Sequence, residues 1–198
     1  MVAARDPGSR PSIVYLLGYP GVGKYTVARE IARLTGAVVV DNQVINHPIL
    51  VLLRWDPTSD LPPGTLDRAA PIRDAVLSAL EEIAPRDLSY VLTNVLDDEE
   101  GCRDLYERVK QIAARRGSVF LPVVLTCDLE EQLRRVTAEE RVARLKIADA
   151  DKVAAYVRST RLLVPDDPHL LELDTTHLDP ADAAAEIVGR ASELSRAG

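Results

Sequence analysis

Cysteine and histidine are scarce in this chain, long apolar runs are missing, and positive charge is in deficit. Its 198 residues include two cysteines, Cys102 and Cys127, and three histidines. Two isolated cysteines exclude a disulfide framework or a cysteine-based zinc site. Cys127 closes an apolar run and reads as a small buried hydrophobe. His169 and His177 stand at no metal-ligand spacing with a partner. No apolar stretch approaches the roughly 20 residues that span a bilayer, so no membrane partner is expected. Lys and Arg total 24 against 31 Asp and Glu, a formal net charge of −7, which argues against a nucleic-acid-binding surface. Residues Met1 to Pro11 lack the apolar core of a secretory signal and read as a flexible tail. The expectation is a cytoplasmic protein with one domain over residues 12–198.

Apolar residues make up 46% of the chain and charged residues 28%, the balance of a globular protein with a real core. Strand-like apolar runs alternate with amphipathic stretches, the pattern of an α/β fold with a parallel sheet. Strands are predicted at Ile13–Leu17, Ala37–Val40, Tyr90–Thr93, Val119–Thr126 and Leu170–Leu173. Pro122 lacks a ladder donor and predicts a bulge, or a strand start after it. Helical periodicity covers Val27, Ile31 and Leu34, then Val44–Leu53, then Ile72 to Ile83, then Leu105 to Ile112. Residues Asp56–Gly64 read as a loop. A charged helical stretch runs from Leu129 to about Val157. Thr137 and Glu140 form a capping box that predicts a new helix start. Asp179 before Pro180 predicts the N-cap of the last helix. Five strands buried on both faces predict a three-layer sandwich.

The strongest chemical signal is Gly-x-x-x-x-Gly-Lys at Gly18, Gly23 and Lys24, placed between the first strand and the first helix. Glycines let the loop turn its N–H groups inward onto phosphate oxygens, and the helix behind adds its positive end. The loop Gly18, Tyr19, Pro20, Gly21, Val22, Gly23 is thereby predicted to hold nucleotide phosphates, with Lys24 neutralising transferred charge. One position departs from the pattern. The hydroxyl that touches Mg²⁺ is replaced by Tyr25, whose hydroxyl lies too far from the backbone to occupy the same point. Thr26 is the neighbouring substitute, or the ion is held by phosphates, water and carboxylates.

The segments Gly18–Thr26 and Val40-Asp41-Asn42, and the arginine-rich stretch after the fourth strand, resemble small P-loop kinases. That group includes shikimate kinase, gluconate kinase, chloramphenicol phosphotransferase and the nucleoside-monophosphate kinases. The resemblance implies a parallel five-stranded sheet of order 2-3-1-4-5, ATP with Mg²⁺, and a helical lid at about residues 134–160. By the same resemblance, Asp41 faces the acceptor hydroxyl and can hold a metal ion with Thr26. Arg141 and Arg144 become the arginines that close over the nucleotide. Arg135 stacks on adenine, and the backbone around Thr176 borders the base.

Candidate acceptor-site residues are Asn42, Asn46, His47, Arg73 and Asn94, with Trp55 either walling the pocket or packing. The implied activity is transfer of phosphate from ATP to a hydroxyl of a small metabolite or antibiotic. A nucleoside or nucleotide kinase, and a catalytically weak ATP-binding regulator, are the alternatives. A guanine-nucleotide switch is disfavoured because no Asn-Lys-x-Asp motif is present.

Overall fold

A computed structural model describes residues 10–197. Its five-stranded, all-parallel sheet has the order β2-β3-β1-β4-β5. The strands are β1 (Ser12–Leu17), β2 (Val38–Asp41), β3 (Tyr90–Asn94), β4 (Val119–Thr126) and β5 (Leu171–Asp174). The helices are α1 (Lys24–Thr35), α2 (Asn42–Leu52), α3 (Thr65–Glu82), α4 (Glu100–Arg116), α5 (Leu129–Val136), α6 (Glu139–Ala143), α7 (Ala150–Ser159) and α8 (Pro180–Ala197). The predicted fold class and sheet order are those found.

Alternation along β1 explains the three layers. Val14 and Leu16 enter the core shared with Val27 and Ile31 of α1 and Ile187 of α8. Ile13, Tyr15 and Leu17 enter the opposite core, with Leu77 and Leu80 of α3 and Val109 and Ile112 of α4. Successive strand side chains point to opposite faces. A strand covered by helices on both sides is therefore apolar throughout.

Several local expectations change. β4 runs unbroken through Pro122, which stands opposite Tyr15 of β1. No bulge is needed there, because pairing with β5 begins only at Val123. The long helix expected from Leu129 is three helices. Thr137 does not cap α6. Its hydroxyl donates back to the Arg134 carbonyl at 3.0 Å, closing α5, and Ala138 occupies the α6 N-cap. The α6–α7 connection turns at Leu145, whose φ is 50°. Asp179 does cap α8, accepting from the Ala181 amide at 2.8 Å. Cys127 is half-buried against the α1/α8 core rather than enclosed by it. Most of the expected tail lies outside the described residues. Of its last two residues, the Arg10 amide donates to Ser195 Oγ at 2.7 Å, and the Pro11 carbonyl accepts from Val119 at 2.8 Å. No helix among the described residues is long and apolar enough to cross a membrane.

Candidate active site at the strand ends

The carboxyl ends of β1, β2 and β3 open into one cavity of about 380 Å³, where open parallel sheets bind ligands. The phosphate loop forms its floor and the 134–147 segment forms its roof. Gly18 has φ 149°, and a Cβ there would lie 2.5 Å from the Leu125 carbonyl oxygen. Gly21, at φ 95°, would drive a Cβ to 2.9 Å from the Gln132 backbone. Both positions require glycine for close approach to β4 and α5 as well as for dihedral freedom. Gln132 donates to the Pro20 carbonyl at 2.6 Å and Thr175 to the Val22 carbonyl at 2.9 Å. These bonds fix the loop from α5 and from the end of β5. Tyr19 anchors the far side, donating to the Thr160 carbonyl at 2.6 Å and accepting from the Leu162 amide at 3.1 Å.

Lys24 folds back over the loop, donating to the Gly18 and Tyr19 carbonyls. Burial, reinforced by the Lys146 and Arg141 cations, pulls its ammonium down to about 7, against the attraction of Asp41. Asp41 is 4% exposed. One of its oxygens accepts from Thr93 Oγ1 at 2.6 Å. The other meets Lys146 Nζ at 3.0 Å and Arg144 Nη2 at 3.2 Å. Burial pushes the Asp41 carboxyl up, but Lys146 and the Thr93 hydrogen bond outweigh it and hold the carboxyl below its usual value. The Lys146 ammonium is itself lowered by burial, against the pull of Asp41. Arg141 lines the cavity and donates through Nε and Nη2 to the Ile147 carbonyl.

Of the sequence candidates, Pro20, Gly21, Gly23, Lys24, Tyr25, Thr26, Asp41, Asn42, Asn94, Arg135, Arg141 and Arg144 line this cavity. Arg135 is held by Glu131 and by the Thr175 and Thr176 carbonyls. Thr176 is buried behind it and does not reach the cavity wall. Asn46 and His47 lie on α2 outside the wall, His47 exposed. Trp55 packs, donating to the Asp60 carbonyl at 3.2 Å. Arg73 lines a small adjoining recess that shares Asn42, Thr93 and Asn94 with the main cavity. Its buried Nε has no partner among the described residues.

Thr93, Gln43 and Lys146 join the site without a motif to mark them. Lys146 ends a charged stretch whose pattern does not distinguish it from its neighbours. Thr93 looked like the end of an apolar strand, and only its register opposite Asp41 reveals it. Gln43 donates to the Leu145 carbonyl, tying α2 to the roof.

For magnesium, the side-chain oxygens at the cavity are few. No cluster of three or more His, Cys, Asp or Glu among the described residues is placed to hold a metal. Thr26 is exposed and Tyr25 presents a ring covered by cations. Both Asp41 oxygens are engaged. These side chains do not fit a directly ligated ion. An ion carried by nucleotide phosphates and water is compatible with them.

A family model described as "AAA domain" matches residues 14–155, from β1 through most of α7. The chain belongs to the AAA domain family. No curated protein matches its sequence. The fold of this AAA domain is shared with solved structures of low identity. A gluconokinase from Sinorhizobium meliloti 1021 superposes with a TM-score of 0.63 at 14% identity, covering 96% of both chains. A putative kinase from Chloroflexus aurantiacus j-10-fl gives 0.65 at 16%, covering 96% of this chain and 99% of the other. A sugar kinase from Janibacter sp. HTCC2649 gives 0.59 at 17%, covering 93% and 98%.

Proposed function

We propose that this AAA domain is an ATP-dependent phosphotransferase that phosphorylates a hydroxyl of a small molecule, a metabolite or an antibiotic. The observation that carries this reading is the convergence of the phosphate loop, Lys24 and the buried Asp41 in one cavity roofed by Arg141, Arg144 and Lys146. Its volume, about 380 Å³, is within the range of small-molecule sites. The superposable kinases are consistent with that reading.

In the proposed reaction the loop amides and Lys24 cradle the β- and γ-phosphates. The acceptor hydroxyl takes the place of the lid cations on Asp41, which is anionic and can accept its proton. The hydroxyl oxygen bonds to the γ-phosphorus as the bond to the β–γ bridging oxygen breaks, leaving ADP. Arg144 and Lys146, released from Asp41, follow the charge onto the transferred phosphoryl oxygens. A Mg²⁺ ion would be held by the nucleotide phosphates and water rather than by these side chains, and would supply neutralisation of phosphate charge. Arg73, with its unpartnered Nε beside Asn42 and Asn94, favours an acceptor bearing a carboxylate or other oxygen-rich group.

The test is thermal unfolding with ATP, ADP and GTP, with and without Mg²⁺, on the wild type and Lys24→Ala. At a hundred times its dissociation constant a nucleotide adds about 2.7 kcal/mol, a rise of about 5 to 10 °C at this chain length. A selective rise with ATP that Lys24→Ala abolishes is expected, followed by acceptor-dependent ADP release across a panel of sugars, sugar acids and hydroxylated antibiotics. The absence of any nucleotide shift would sink the proposal.

A further inference from the structure

The residue that breaks the phosphate-loop pattern is also the one the roof rests on. The Arg144 guanidinium carbon lies 3.5 Å from the Tyr25 ring centroid, and Lys146 Nζ lies 4.5 Å from it. These are the same two cations that meet Asp41, at 3.2 and 3.0 Å. The Arg144 Nε is buried without a hydrogen-bond partner among the described residues. Contact with the ring is what that part of the guanidinium has in place of an acceptor. A serine or threonine at position 25 would present a hydroxyl and no surface for either cation.

We propose that Tyr25 is a positioning residue whose ring face, rather than its hydroxyl, docks Arg144 and Lys146 of the lid onto the phosphate loop. The aromatic quadrupole attracts cations over the ring face, and phenylalanine supplies the same face. Two attachments of different kind then hold the pair, the Asp41 carboxylate and the Tyr25 ring. When an acceptor hydroxyl displaces the cations from Asp41, the ring keeps them above the phosphates. Tyr25 thereby makes the change of partner a short movement at a fixed place instead of the loss of the lid. The departure from the pattern is a gain of lid anchorage in exchange for a metal-facing hydroxyl. The use of the pair in catalysis rests on the phosphotransferase reading, whereas the docking itself does not.

Hydrogen exchange read by mass spectrometry over residues 139–147 tests the docking without nucleotide or acceptor, in the wild type, Tyr25→Phe, Tyr25→Leu and Tyr25→Ser. The amides of β1 serve as the internal measure of global folding. Tyr25→Phe is expected to keep the lid's protection. Leu and Ser are expected to speed exchange there by about tenfold, a loss of about 1.4 kcal/mol, with β1 unchanged. Equal loosening in Phe and Leu would assign the docking to the hydroxyl and overturn the proposal. Protection unchanged in all three would leave Asp41 and Gln43 holding the roof without the ring and overturn it too. Failure of the nucleotide shift, with these exchange results intact, would remove the phosphotransferase reading and leave the docking standing.

Discussion

Lys24 carries its ammonium into surroundings that work against it. Burial comes first, then repulsion from Lys146 and Arg141, and the Asp41 carboxylate offsets only part of this, so the pKa falls from 10.5 to about 7. A folded value below the unfolded one means the native state releases this proton first as pH rises. The Lys24 contribution therefore increases ligand-free stability from about pH 7 up to about 10.5, where the unfolded chain also loses its proton. Asp41 acts at the other end. Its depressed carboxyl contributes stability above its ordinary 3.8 that is lost as the pH falls through its lower folded value. Nucleotide phosphates reverse the balance at Lys24 by placing anionic oxygens beside it, which restores the ammonium. Nucleotide binding should accordingly take up about half a proton at pH 7 and close to one at pH 8.5. Calorimetry in buffers of different ionisation enthalpy reads that uptake directly. Lys24→Met should remove it, and uptake that persists in the variant would assign the proton to another group.

Among the elements, the α3–α4 pair depends on a buried arginine that no motif marks. Arg116, 5% exposed at the end of α4, donates to the Leu80, Ala84 and Pro85 carbonyls. Its guanidinium also lies 4.9 Å from the Tyr90 ring centroid. It thus caps the C-terminus of α3, where the last carbonyls lack intrahelical donors. Arg116→Ala should destabilise the protein by about 2–4 kcal/mol, because several carbonyls lose a charged donor at once. Urea unfolding measures this, and a change under about 0.5 kcal/mol would show the carbonyls finding water instead. The contrast with the strands is physical. Runs such as Ile13–Leu17 are legible because a doubly covered strand must be apolar at every position. Gly18, Gly23 and Lys24 are legible because a phosphate loop tolerates few alternatives. Arg116, in an Arg-Arg pair before Gly117, has the local pattern of a solvated helix end. The roof was legible as charge but not as shape. Its break at Thr137 is closed locally on the Arg134 carbonyl, whereas the turn at Leu145 is held by partners 100 or so residues away, as Gln43 to Leu145 and Asp41 to Lys146 show. The sheet order itself came from resemblance to known kinases, since periodicity carries no information about which strands neighbour one another.

At the scale of the whole molecule, charge is divided unevenly. The chain carries a net −7, yet six cationic side chains and two carboxylates line the cavity among the described residues. Lys24, Arg134, Arg135, Arg141, Arg144 and Lys146 make it a positive recess in a negative surface. A concave site of this kind favours a compact polyanion that fits inside and disfavours an extended one that would also meet the acidic exterior. The triphosphate should thus supply most of the electrostatic attraction and the nucleoside almost none. Salt separates the two contributions, because the screening length falls from about 10 Å at 0.1 M to about 3 Å at 1 M. Over that range the dissociation constant of ATP should rise by about tenfold, the equivalent of about 1.4 kcal/mol, with ADP affected less and adenosine hardly at all. Titration calorimetry at the two salt concentrations gives the comparison. Equal salt dependence for ATP and adenosine would mean that the cations of the roof are neutralised by one another's partners, Asp41 and Glu131 included, and exert no net field on the ligand.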